Sequence, residues 1–339
     1  MMFQSLFRRT TLSDRQERAV QKTLQNLQQQ RRNRFRILAC IDGTDEAFET
    51  VRLAAQLAPN DDCDIIILYV RSIDQGLWSG GLQLRLARQN MLDAGFELPG
   101  VRDLKRALEI LKESGIDADS WPKEAAHQDA WGDPLGDNKV EYKSPEGRSV
   151  VLKLKTAPDV ANGILDQYEL GPYNLIMTGE PSRWRGEFKG WFNAGIVQRV
   201  VMFAPCSVLV ARAPRERTGF FICTDGTARS MQAVRRAAVL AHTANEPITL
   251  FSASTTEAGL PAAEEAVANA KALLKAMKIP VASTKTAHGV PAREIVEAGS
   301  AYKVVVVTDE GRSRVQRMFR GSTALDVVRQ ARTSVLDVR

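Results

Sequence analysis

Val304-Val-Val-Val-Thr308-Asp309-Glu310-Gly311, then nine residues, then Gly321-Ser322-Thr323, decides how this chain is read. Four consecutive valines leave no polar face, so the run reads as a strand covered on both sides of a parallel sheet. The residues after Gly321 have helical spacing, and Ser334-Val-Leu-Asp-Val-Arg339 is a second apolar strand. The order is therefore strand, glycine-bearing loop, helix, strand. Glycine at these places lets backbone approach a ligand, and the N–H groups that open the second helix suit a phosphate. Alone, such a loop is as often a tight turn as an anion cradle.

The unit has a beginning as well as an end, and the beginning occurs twice. Phe220-Phe-Ile-Cys223-Thr224-Asp225-Gly226-Thr227 matches Arg36-Ile-Leu-Ala-Cys40-Ile-Asp42-Gly43-Thr44. The match runs on without a gap, pairing Val51, Arg52, Ala54, Ala55 and Ala58 with Val234, Arg235, Ala237, Ala238 and Ala241. At the other end, Val200-Val201 and Ser207-Val-Leu answer Val327-Val328 and Ser334-Val-Leu. The chain is a duplication. The shift is 183 residues at the front and 127 at the back, so the first copy is longer by 56. Ala211-Arg-Ala-Pro-Arg-Glu-Arg-Thr218 links the copies, and a boundary falls there. The domains are thus residues 34–212 and 213–339, after an extension over 1–33. In each copy an Asp-Gly loop follows a strand and precedes a helix (Phe48 to Ala58 in the first), which puts it at the carboxyl end of a strand.

Composition narrows the function classes. At 339 residues and 44% hydrophobic content the chain can fill two cores of ordinary size. No apolar run reaches the length of a bilayer span. A formal charge of +6 without dense basic and aromatic clustering argues against nucleic acid as a partner. Cys40, Cys63, Cys206 and Cys223 are scattered in apolar strands, as reduced core thiols of a cytoplasmic protein would be, rather than as metal ligands. His127, His242 and His288 stand singly, and no nucleophile elbow, zinc-binding helix or Walker lysine loop is present. No catalytic residue is expected.

Two regions fall outside the duplication. In the N-terminal extension, Ser13-Asp-Arg-Gln16 has capping-box spacing, and Val20, Leu24 and Leu27 recur at helical intervals, which predicts a helix over about 14–30. Its basic opening also fits a transit peptide or a surface-seeking segment, although a solvated extension, or one that packs on a partner, is the favoured reading. Repeat one carries an insertion over about 71–155, with a helix at Arg102–Glu113, an irregular stretch from Trp121 to Asn138, and a hairpin pairing Val140–Lys143 with Arg148–Lys155. All five tryptophans lie in this repeat, where they would fill a satellite core or form an interface.

With these motifs in place, the chain resembles the universal stress proteins in their tandem form. The family's domain begins with a strand closing in Asp-Gly-Ser/Thr and ends with glycine, two residues, glycine, nine residues, then Gly-Ser/Thr. Repeat two fits from Asp225 to Ser322, with Thr308 replacing the first glycine. The resemblance implies two Rossmann-like α/β domains of the adenine nucleotide alpha hydrolase-like type. Each would hold a five-stranded parallel sheet of order 3-2-1-4-5 with helices on both faces. It implies ATP binding, with or without Mg2+, in a stress-response role. Thr224, Asp225 and Gly226 would lie by the adenosine, and Thr308, Gly311, Arg312, Gly321, Ser322 and Thr323 would surround the phosphates. Asp309 and Glu310 would oppose the phosphates, while Arg312, Arg314 and Arg320 would offset them.

Repeat one departs further from the pattern. Ala194 takes the glycine slot and Gly195 the serine slot, and the loop from Thr178 to Gly186 is stretched and contains Pro181, so this copy reads as a half that lost its ligand. The two repeats are expected to pack face to face through their final strands as an intramolecular pseudo-dimer. Further homo-oligomers are compatible with this, and an unidentified protein partner would read nucleotide occupancy. The competing readings are an interaction scaffold without ligand and a slow ATPase.

Overall fold

The computed structural model describes residues 34–59, 61–72, 90, 94–95, 97, 99–130, 133–169, 172–180, 190–213, 216–308 and 323–339. The extension 1–33, the loop 76–81 and most of the run 82–94 lie outside the described residues.

Repeat one runs β1 (Phe35–Ile41), α1 (Asp45–Leu57), β2 (Cys63–Ser72), α2 (Pro99–Glu113), β3 (Lys123–Ala130), β4 (Asp133–Lys143), β5 (Ser149–Ala157), α3 (Val160–Glu169), β6 (Leu175–Gly179), α4 (Gly190–Phe203) and β7 (Ser207–Ala211). Repeat two runs β8 (Phe220–Cys223), α5 (Ala228–Thr243), β9 (Ile248–Ser254), α6 (Leu260–Ala276), β10 (Ser283–His288), α7 (Pro291–Gly299), β11 (Val304–Thr308), α8 (Thr323–Gln330) and β12 (Ser334–Val338). The first helix of each repeat starts where its cap dictates. Thr44 Oγ1 accepts the Ala47 N–H at 3.2 Å, and Thr227 Oγ1 accepts the Ser230 N–H at 3.3 Å.

The described strands form one twelve-stranded sheet, ordered β10-β9-β8-β11-β12-β7-β6-β1-β2-β5-β4-β3. Each repeat contributes the order 3-2-1-4-5. Val304 to Val307 are buried as the valine run demands, since helices cover both faces. Residues of α1, α2, α5 and α6 join one core, and those of α3, α4, α7 and α8 join the other. The crossovers after the first and fourth strands therefore leave on opposite faces of the sheet, which opens a crevice at their carboxyl ends in each repeat.

Two expectations need correction. The stretch after Trp121 is not irregular, because β3 pairs antiparallel with β4 from Lys123↔Tyr142 to Ala130↔Asp133. Its sequence, Lys-Glu-Ala-Ala-His-Gln-Asp-Ala, has neither alternation nor β-branched residues, and its side chains from Lys123 to Asp129 are exposed. The strand exists because main-chain groups of β4 need partners at that edge. The expected hairpin does form between β4 and β5, but β5 also pairs parallel with β2 and is thus the third strand of the repeat.

The second correction concerns the pseudo-dimer. The repeats join edge to edge, not face to face: β7 and β12 pair antiparallel through Val210↔Val335, Leu209↔Leu336 and Val208↔Asp337. Each is the fifth strand of its repeat and would otherwise leave an open row of main-chain donors and acceptors. Two arginines lock this seam reciprocally. Arg212, just past β7, donates to the carbonyls of Val328 (2.6 Å) and Ala331 (3.3 Å) at the end of α8. Arg339, just past β12, donates to the carbonyls of Val201 and Ala204 at the end of α4. The backbone N–H of Arg212 bonds Ser334 Oγ at 3.2 Å, and that of Arg339 bonds Ser207 Oγ at 3.2 Å. Each repeat thereby supplies cations to the unpaired carbonyls that end the other's last helix.

Candidate functional site at the carboxyl end of the repeat-two strands

Thr224, Asp225 and Gly226 form the turn that carries β8 into α5. Thr224 is buried, with its N–H bonded to Phe251 O at 2.9 Å. Its hydroxyl lies 3.0 Å from Ser230 Oγ and accepts the Gly226 N–H at 3.1 Å. Thr224 thus builds the loop from within. Asp225 is exposed, and its Oδ1 accepts from both the N–H (3.0 Å) and the hydroxyl (2.7 Å) of Thr227. Partial burial pushes the Asp225 carboxyl up, but hydrogen bonds from Ser230 and Thr227 outweigh it and hold the group below the usual carboxylate range. An ionised carboxylate therefore stands at the crevice mouth. Gly226 has φ +80°, a left-handed conformation that a side chain would strain, and a Cβ there would sit 3.1 Å from the Ala266 methyl.

β11 runs beside β8, in the register Val304↔Phe220 to Val306↔Ile222. Thr308 ends β11 just beyond this register, with its hydroxyl donating to Val338 O at 2.9 Å. Thr323 opens α8 and is half-buried. Of the residues expected at the site, Thr224, Asp225, Gly226 and Thr308 thus gather at the ends of neighbouring strands. Gly311, Arg312, Gly321 and Ser322 lie outside the described residues, as do Asp309, Glu310, Arg314 and Arg320.

Repeat one builds the same turn. Asp42 Oδ1 accepts the Thr44 N–H at 3.1 Å and its hydroxyl at 2.6 Å, and Gly43 has φ +84°. Its surroundings differ. A Cβ on Gly43 would lie 2.7 Å from Oδ2 of the buried Asp103, so a second carboxylate faces this loop where repeat two has Ala266. The crevice remains open as a cavity of about 210 Å³, with Leu68, Val70, Ile164 and Val197 in its apolar walls. Gly179, at its edge, is required by packing, since a Cβ there would run into the backbone of Ala47. Ala194 and the loop 181–189 lie outside what is described of side chains. Cys40 and Cys223 occupy equivalent places in the two repeats and lie in the same core, and burial pushes both thiols well up from their usual range; Cys206 is raised to about 12 by the same cause.

Fold and crevice define a class: a tandem pair of doubly wound α/β domains fused along one sheet edge, each with a topological switch point at the carboxyl end of its strands. The model of the Universal stress protein family matches residues 33–212 and again 220–339, and the chain belongs to that family. Among solved structures, a universal stress protein from Archaeoglobus fulgidus is 14% identical, with a TM-score of 0.56, over 90% of this chain and 96% of its own. A putative universal stress protein from Pseudomonas aeruginosa is also 14% identical, with a TM-score of 0.52, over 89% and 92%. At that identity both speak for the fold alone. No curated protein matches the chain. Among the described residues, no helix is long and apolar enough to cross a membrane.

Proposed function

We propose that repeat two binds an adenine nucleotide, ATP, in the crevice between β8 and β11, and that repeat one is the structural half of the pair. The observation that carries this reading is Asp225, an exposed and ionised carboxylate at the end of β8, beside the strand end from which the glycine-bearing segment leaves. A carboxylate there accepts hydrogen bonds from ribose hydroxyls or an adenine amine through the oxygen that Thr227 does not use. Phosphates would meet the backbone N–H groups and hydroxyls of the segment from Thr308 to Thr323, with Gly311, Arg312, Gly321 and Ser322 in the roles the sequence gives them. Any magnesium would arrive with the triphosphate. Repeat one sets two carboxylates, Asp42 and Asp103, about its loop, which disfavours an anion there. Nucleotide occupancy would then change how the segment after Thr308 meets a protein partner in the cytoplasm.

The test is equilibrium binding of labelled ATP to the full chain and to Asp225→Ala and Gly321→Val. Saturable binding with one nucleotide per chain, weakened by both substitutions, supports the reading. Equal binding by all three forms overturns it by putting the nucleotide at another site, and no binding by any overturns it in favour of a ligand-free scaffold. ATP turnover lost in Gly321→Val would instead mark a slow ATPase.

A further inference from the structure

Two hollows flank the seam between the repeats, and the duplication relates one to the other although their sizes differ widely. One, of about 760 Å³, lies at the amino ends of β1, β6 and β7, against α5. The other, of about 30 Å³, lies at the amino ends of β11 and β12, against α1. Gln232 and Arg236 in the first answer Glu49 and Leu53 in the second by the 183-residue shift. Ser207 and Arg339 answer Ser334 and Arg212 by the 127-residue shift.

The small hollow is closed by the chain that enters its repeat. Ala213 and Arg217, from the link that leads into β8, stand in its wall. Lys303 is fixed beside them, bonded to Gln56 Oε1 at 2.7 Å and to Glu246 Oε1 at 2.8 Å. The large hollow has no such cover among the described residues. Phe35 stands in its wall, and the described chain begins one residue earlier. Asn174 and Pro205 take the places of the longer Lys303 and Arg332. The surface left open is apolar: Leu57, Leu175 and Leu240 line it, and Val239 is 46% exposed there. Apolar side chains gathered at one place on a surface mark a contact. Arg235, exposed on the same helix, has no partner among the described residues.

The chain ahead of Phe35 carries what this groove lacks. Val20, Leu24 and Leu27 fall on one side of the helix predicted over about 14–30, and Glu17, one turn before Val20, continues that stripe with a carboxylate. Only Arg31 to Arg34 separate the end of that helix from the groove wall, and a helix of that length spans about 25 Å. We infer that the N-terminal extension is the missing cover: residues 14–30 lie in the large groove of their own chain, with Val20, Leu24 and Leu27 against Val239 and Leu240 and with Glu17 toward Arg235. Both repeats supply walls of this groove, so the extension spans the seam and does for repeat one what the link does for repeat two. The short tether favours the chain's own groove over that of a second copy.

The experiment is amide hydrogen exchange on the full chain, read by mass spectrometry over residues 14–30. Those amides should exchange about a hundredfold slower than in an unstructured chain, as two buried leucine-sized side chains would give. Leu24→Glu should cut the protection about tenfold, and so should Val239→Glu, at a position exposed enough to leave folding intact. Gln25→Glu, on the far side of the helix, should leave it unchanged. As a second measurement, Val20→Cys, Leu24→Cys and Leu27→Cys are each combined with Val239→Cys, and at least one pair should form a disulfide within one chain under mild oxidation. Exchange at the unstructured rate would overturn the assignment in favour of a solvated extension. Protection indifferent to Val239→Glu, or no disulfide in any pair, would put the extension on another surface. A loss in Gln25→Glu as large as in Leu24→Glu would refute the apolar stripe, and a disulfide between chains would make a second copy the occupant.

Discussion

The Asp-Gly-Thr loops of the two repeats are the same turn in different company. Both carboxylates bond a threonine N–H and hydroxyl two residues on, and both glycines sit near φ +80°. The motif thus reports the needs of a strand-to-helix turn before it reports a ligand. What separates the copies lies one residue before the aspartate and one helix away. Ile41 stands where repeat two has Thr224, and Asp103 stands over Gly43 where Ala266 stands over Gly226. Retention of a motif after duplication is therefore weak evidence for retained binding, and its neighbours are better evidence.

The largest expected effect tests whether the two arginines of the seam are as equivalent as their bonds suggest. Arg212 is buried and also pairs with Glu180, so Arg212→Ala leaves a carboxylate and two helix-end carbonyls without their cation. Urea unfolding should show a loss of about 3–5 kcal/mol. Arg339, whose side chain is 11% exposed, likewise holds a carboxylate, the 2% exposed Asp337 at 3.2 Å, so its substitution by alanine should also cost about 3–5 kcal/mol. A much smaller loss at either position would show that the two arginines are not equivalent.

Next in size is the contrast between the two loop carboxylates in nucleotide affinity. Asp225→Ala should weaken ATP by the value of a charged hydrogen bond, about 1.5–3 kcal/mol, while Asp42→Ala should leave equilibrium binding unchanged. If Asp42→Ala proves the more damaging, the roles of the repeats are reversed. Thermal unfolding of the glycine variants gives a smaller and finer comparison. Gly43→Ala and Gly226→Ala should each lose about 1–2 kcal/mol to the left-handed backbone. Gly43→Ala should lose more, because its methyl meets the Asp103 carboxylate and not a methyl group.

The smallest effect is in pH. The Asp225 carboxyl is held below its ordinary value in the folded state, so the ionised form contributes stability that is complete above the unfolded value, about pH 4. That contribution fades as pH falls through the folded-state value. The stability difference between wild type and Asp225→Asn should therefore be constant near neutrality and shrink in acid, which urea midpoints across pH would register. A gap that widens in acid would contradict the assigned direction.

Much of this architecture is legible in the residues. The valine run, the repeated Cys-x-Asp-Gly-Thr phrase and the shared Ser-Val-Leu ending fix two five-stranded units, because burial on both faces and strand-to-helix turns leave strong marks in composition. β3 left none: Lys123 to Ala130 is held by main-chain pairing, to which side-chain patterns are blind. The seam was half visible, since Arg212 and Arg339 share the 127-residue shift that relates Ser207 to Ser334, but nothing local tells which carbonyls an arginine will reach. Edge-to-edge joining follows from which strand is fifth in the order, which is a property of topology and not of the strand's own sequence. At the candidate site, Asp225 and Gly226 announce themselves by spacing. Asp103, distant in the chain and brought over the Gly43 loop only by helix packing, does not.

The crossed arginines have one more consequence. An association that separate copies would have to make by meeting in solution is here tethered, so its strength is set by the link between the halves and not by how much protein is present. Dilution should leave the melting midpoint of that seam where it was. Freed from the demand that both surfaces stay identical, one half can change its loops while the other still recognises its final strand.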